Sequence, residues 1–261
     1  MKGAPFDENL RGEVIAQGLE NIVFDFQDYV VKEVNIRSEV IFNIPGLTWF
    51  LSSVAHLIHL QQDHTMLKKI LEDQLVDTLF VRGHSREKGT ATNYLVQPYI
   101  NGKPLAEYLA DPDISRFVLA QAFFCRNRRG LLETYWKARK VFVLYGIPMD
   151  LTFNNILVKE RPTHTSDKLL VIDPGFITEA KLLFFENYLP NLVSIETRYR
   201  FLQVCLNRIA QLEEVFAHVD ASTFELAQTA TLHGTFDVTT YESHKQKLVK
   251  QLSTFEKSLQ V

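Results

Sequence analysis

Three residues near the middle of the chain have types and spacing suited to metal and phosphate chemistry. Asp150 stands in Gly146-Ile147-Pro148-Met149-Asp150-Leu151, Asn155 follows five positions later, and Asp173 closes the run Leu170-Val171-Ile172-Asp173 before Pro174-Gly175. Two carboxylates and one amide are all hard oxygen donors. That set suits Mg²⁺, which keeps several waters and binds through few carboxylates plus phosphates. With Asn155 and Asp173 serving a metal, Asp150 is left to orient or deprotonate an attacking hydroxyl.

The elements around them must bring the three together. Apolar and β-branched runs predict strands over 155–159 and 169–173, joined by a polar, hairpin-like connection containing Pro162, His164 and Ser166. Pairing of these strands brings Asn155 and Asp173 to one edge, and the loop after a helix returns Asp150 beside them. Upstream, short strands are predicted within 13–34, with turns at Gly18 and Asp28, and again near 78–82 and 93–100. The spacing of Leu47, Leu51, Val54 and Leu57 predicts a helix over 46–60, and that of Leu67, Ile70 and Leu75 a second over 65–76. Asn101-Gly102 reads as a turn, after which the chain becomes mainly helical, over 114–126, 129–144, 193–216 and 243–259. A β-rich first third and an α-rich remainder predict an α+β fold in two lobes, 1–101 and 102–261.

On these residues the chain resembles the protein-kinase superfamily, and in character its small-molecule relatives such as the aminoglycoside and choline phosphotransferases. Asp150-Leu151-x-x-x-Asn155 matches the D-L-x-x-x-N of the catalytic loop, and Asp173-Pro174-Gly175 stands where that family has D-F-G. The resemblance implies a bilobal protein-kinase-like fold with a small antiparallel-sheet N-lobe and a mostly helical C-lobe. It also implies ATP and Mg²⁺ as cofactors, Asp150 as the catalytic base, and Asn155 and Asp173 as metal ligands.

Tyr29-Val30-Val31-Lys32 resembles the V-A-I-K strand, which makes Lys32 the lysine on the nucleotide phosphates. Residues Tyr94 to Leu105 are similar to the fifth strand, hinge and following helix. Gln97 then takes the gatekeeper position, and backbone groups of Pro98 and Ile100 read adenine. Gly18 stands in the phosphate loop, whose Asn21-x-Val23-Phe24 ending is similar to the glycine-poor loops of small-molecule kinases. Asp63 and Glu72 are alternative acidic partners for Lys32.

Departures from the protein-kinase pattern narrow the acceptor. The H-R before the catalytic aspartate is Pro148-Met149, the lysine two residues after it is Thr152, and no A-P-E or long activation segment follows Asp173. These favour a small-molecule or glycan hydroxyl over a protein substrate. An atypical Ser/Thr protein kinase and a nucleotide-binding pseudokinase or scaffold are the alternatives.

Composition bounds the rest. A net charge of −3 offers no global basic field for nucleic acid or an anionic membrane. No run reaches the roughly 18 apolar residues of a membrane span. The acidic start at Asp7-Glu8 reads as no signal peptide, so a cytoplasmic protein is expected. Cys125 and Cys205 have no Cys/His cluster and read as buried small hydrophobes. Arg126, Arg128, Arg129, Lys137, Arg139 and Lys140 read first as a solvated helix face, and Trp49 and Trp136 as core. His56-x-x-His59 lacks a third ligand for a metal.

Overall fold

The computed structural model describes residues 12–17, 21–34, 53–85, 89–109, 133–159, 169–173, 194–217 and 237–259. The chain divides into two compact units, Met1–Thr65 with Val76–Ile100, and Met66–Leu75 with Asn101–Val261.

Unit one is built on a five-stranded antiparallel sheet. Its strands are β1 (Val14–Gln17), β2 (Asn21–Asp25), β3 (Tyr29–Val34), β4 (Leu79–His84) and β5 (Ala91–Pro98), in the order β1-β2-β3-β5-β4. Alternation along the strands sorts their side chains. Val31 lies opposite Phe24 on β2 and Val96 on β5, and these gather with Phe26 and Tyr94 into the apolar core of one face. Lys32, opposite Val23 and Leu95, is therefore on the other face, as is Gln97, opposite Val30.

Helix α1 (Val54–Leu71) runs through Gln61-Gln62-Asp63-His64 without a break. The two helices expected over 46–60 and 65–76 are thus one where the structure describes them. A polar stretch with no Gly or Pro interrupts the apolar stripe but not the backbone ladder. The helix ends in a 3₁₀ turn, Glu72–Gln74, entered with Glu72 at φ 53°.

Unit two holds a three-stranded antiparallel sheet, β6 (Gly102–Pro104), β7 (Ile156–Lys159) and β8 (Leu169–Val171). Asn101-Gly102 does not make the expected turn: Gly102 already pairs with Lys159. A Cβ on Gly102 would lie 2.4 Å from the Val158 carbonyl oxygen, so the glycine permits this close pairing. The short helix α2 (Leu105–Leu109) follows. A helix over residues 133–145, α3, presents Tyr135, Ala138 and Val141 at three-residue spacing to the core. There they meet Leu67, Leu71 and Leu75, which follow one another at four-residue spacing, together with Ile156, Val158 and Val171 from the sheet.

The expected helices over 193–216 and 243–259 are present as α4 (Ile195–Ala217) and α5 (Val238–Leu259), which pack on each other. Their buried residues include Phe201, Leu202, Cys205, Ile209, Tyr241 and Leu248. The helix expected over 114–126 lies outside the described residues, as do Cys125 and Trp49. Trp136 is buried. Two cations of the supposed solvated face are drawn into contacts instead. Lys137 is buried and paired with Glu133 at 3.1 Å, and Arg139 lies over the ring of Tyr241 at 4.8 Å. A carboxylate meets the first charge and an aromatic face the second. Among the described residues, no helix is long and apolar enough to cross a membrane.

Candidate active site

Asp150 is positioned from both sides. Upstream, α3 ends at Gly146, whose φ of +67° reverses the chain as its N–H returns to the Phe142 carbonyl at 2.8 Å. Around Asp150 the Leu151 N–H reaches the Met149 carbonyl at 2.9 Å, a three-residue turn with the aspartate at its apex. Met149 and Leu151 are both fully buried, so the apex residue between them is held while its own side chain stays 38% exposed.

A 3₁₀ turn, Phe153–Asn155, then leads into β7. The Asn155 side-chain Nδ2 donates to the Asp150 carbonyl at 2.8 Å and closes the loop. The Asn155 carbonyl accepts the Ile172 N–H at 3.0 Å, extending the β7–β8 ladder by one pair beyond Ile156–Val171. Asp173 is the next residue, so the ladder sets it beside Asn155 and its charge acts on Asp150. Asp150, Asn155 and Asp173 thus stand together within unit two.

Arg208 is the residue that the sequence motifs did not reveal. Its Nε donates to Asp150 Oδ1 at 2.8 Å from the middle of α4. The one signal available was an arginine wedged between buried Cys205 and buried Ile209 on an amphipathic helix. Burial pushes the Asp150 carboxyl above the ordinary carboxylate range; the charge and hydrogen bond of Arg208 pull it back, and the charge of Asp173 adds to the rise.

The donor chemistry fits a hard divalent cation. Because Nδ2 of Asn155 is committed to a carbonyl, the amide must turn its Oδ1 the other way. That oxygen and the Asp173 carboxylate are the two protein donors an Mg²⁺ ion would use. Among the described residues no group of three His, Cys, Asp or Glu gathers in a metal-binding cluster, so His56 and His59 gain no third ligand.

In unit one, Lys32 is buried at 5% exposure and Gln97 is buried with its amide donating to the Thr78 hydroxyl at 2.9 Å. Tyr99 N–H donates to the Asp28 carbonyl, toward β3. By strand alternation the Pro98 carbonyl faces the opposite edge, beyond Leu79–Val96, where the β4 ladder begins. Ile100 follows at the end of the unit. Gly18 lies outside the described residues. Of the two candidate acidic partners for Lys32, Glu72 is largely exposed and takes the Lys137 ammonium at 3.4 Å, while Asp63 is buried in unit one.

No family model and no curated protein matches this sequence. Among solved structures, the chain is similar to WaaP in complex with acyl carrier protein, at 14% identity and a TM-score of 0.32, over 86% of this chain and 89% of that chain. So remote a likeness bears on no residue of the site.

Proposed function

We propose that this protein is an ATP- and Mg²⁺-dependent phosphotransferase that moves the γ-phosphate to a hydroxyl of a small molecule or glycan. One observation carries the reading: an Asp at the apex of a buried-flanked turn, an Asn that closes the same loop, and an Asp one step beyond the partner strand. Asp150 accepts the acceptor's proton as the acceptor oxygen bonds to the γ-phosphorus and the bond to the bridging oxygen breaks, releasing ADP. Asn155 and Asp173 hold the metal, which when bound supplies positive charge against the phosphates. Lys32 supplies a further cation to the phosphates, Pro98 and Ile100 offer backbone groups to adenine, and Gln97 and Gly18 line the nucleotide. Pro148-Met149 in place of H-R favours a small acceptor over a regulated protein-kinase role.

The test is Mg²⁺-dependent ATP consumption by the purified protein, with Asp150→Ala as the control. A panel of aminoglycosides, choline-like amino alcohols, sugars and generic protein substrates then follows. Consumption that needs Mg²⁺ and Asp150 and is stimulated by a small hydroxyl compound is the expected result. Stimulation by protein substrates alone would make it an atypical protein kinase. ATP bound without turnover in the wild type would make it a pseudokinase.

A further inference from the structure

The motif residues account for the loop, but not for the arginine that reaches it from another element. Arg208 is 58 residues from Asp150 in sequence, and its Nε–Oδ1 distance of 2.8 Å is that of a charge-assisted hydrogen bond. The helix that carries it is fixed on both sides of the arginine. Leu202, Cys205 and Ile209 are buried. Five residues beyond, Glu213 is gripped by Lys245 of α5 at 2.8 and 2.9 Å and by the Tyr241 hydroxyl at 3.2 Å. Tyr241 in turn packs edge-on against Phe142 of α3, the helix that leads into the Asp150 loop, with ring centroids 5.2 Å apart. Helix α4 is thus a strut tied to the same framework as the loop.

The bond is also one-sided. Oδ1 of Asp150 is occupied by Arg208, whereas Oδ2 accepts no hydrogen bond among the described residues. The carboxylate keeps 38% of its side-chain surface exposed.

We propose that Arg208 is a positioning residue for the transfer step: it pins Oδ1 of Asp150 so that Oδ2 is the oxygen presented to the acceptor hydroxyl. This rests on the phosphotransfer reading and adds to it a residue on a distant helix. A guanidinium suits the task because its N–H groups are fixed in a plane, which a lysine ammonium cannot reproduce. Near-attack geometry is steep in distance, and a misplacement of about 1 Å costs on the order of 10²-fold in rate.

The experiment measures turnover of MgATP with water as acceptor, and MgATP affinity by calorimetry, for wild type, Arg208→Ala, Arg208→Lys and Asp150→Asn. Arg208→Ala should lose about 10- to 100-fold in turnover with nucleotide affinity nearly unchanged. Millimolar guanidinium, far below denaturing levels, should restore part of the loss in Arg208→Ala and none in Asp150→Asn. Arg208→Lys should fall between wild type and Arg208→Ala, and it serves alone if the alanine variant does not fold. Wild-type turnover in the Arg208 variants beside an inactive Asp150→Asn would overturn the role of Arg208 and leave the phosphotransfer reading standing. So would a loss that guanidinium leaves untouched and that affinity loss matches. A wild type that turns over MgATP neither with water nor with any acceptor of the panel, or a fully active Asp150→Asn, would overturn the phosphotransfer reading itself.

Discussion

Asp150 and Asp173 are both carboxylates, but their surroundings differ. Asp150 has one oxygen on Arg208 and one left open, whereas Asp173 lies just beyond a strand, beside an amide whose own carbonyl is turned away from the loop. Asp150→Asn keeps size and hydrogen bonding but cannot take a proton. Nucleotide affinity should stay near wild type while turnover falls by roughly 10²–10⁴-fold, as calorimetry and rate measurements on the same sample will show. The two metal-side residues should separate as well. If the proposed metal site is right, Asp173→Ala removes a full negative charge from a divalent cation and should weaken Mg·ATP binding more than Asn155→Ala does. Asn155→Ala also deletes the bond to the Asp150 carbonyl, so it should cost turnover beyond what its affinity loss explains. Equal affinities in Asp173→Ala and wild type would remove Asp173 from the site. The Asp150–Asn155 relation was legible because it is local, a hydrogen bond closed over five residues. Arg208 was not, because helical periodicity tells which residues of α4 are buried and nothing about which loop an arginine beside them will meet.

Elements were legible where pattern and backbone preference agreed. β2, β3 and β5 are rich in β-branched and aromatic residues between polar punctuation, and α4 and α5 carry long apolar stripes. The misreadings came from polar residues that do not break helices, at 61–64 in α1, and from a glycine taken for a turn. Gly102 instead permits β6 to approach β7, and its role predicts a large effect from a small change. In Gly102→Ala the new Cβ would meet a backbone oxygen, which cannot rotate aside. A loss of about 1–3 kcal/mol in urea unfolding is expected, the usual range for overpacking. A variant as stable as wild type would show that β6 yields easily. At the other end of unit two, Asp237 caps α5 through the Thr240 hydroxyl at 2.6 Å and the Thr240 N–H at 2.9 Å. These bonds, the hydroxyl first, hold its carboxyl below the ordinary range. A depressed folded value means that the cap's contribution is complete above the unfolded pKa and is lost as pH falls through the folded one. Asp237→Ala should therefore melt earlier than wild type at neutral pH, with the difference closing in acid below about pH 3.9. A difference that persists there would assign the cap's effect to something other than the charged carboxylate.

For the molecule as a whole, charge and nucleotide binding meet in one measurement. The chain carries a net charge of −3, so no long-range field gathers a polyanionic nucleotide. On the proposed reading, affinity has to come from local charge, which a metal held by Asn155 and Asp173 would supply. Each unit has its own apolar core, around Val31 and Tyr94 in the first and around Leu71 and Val171 in the second. A ligand that binds only the folded chain adds RT ln(1 + [L]/Kd), about 2.7 kcal/mol at a hundredfold excess over Kd. For a chain of this size that corresponds to roughly 5–10 °C in melting temperature. MgATP should therefore raise the melting midpoint by that order, and ATP with chelator by clearly less, because the phosphates then lack their principal counter-charge. The gap between the two conditions isolates the metal. It should close in Asp173→Ala, and it should survive in Asp150→Asn, because the proposed reading sets Asp150 at the acceptor and not at the cation. A gap that closes equally in both variants would place Asp150 among the metal ligands and leave the acceptor's proton without a base. No shift with MgATP in the wild type would remove the nucleotide altogether.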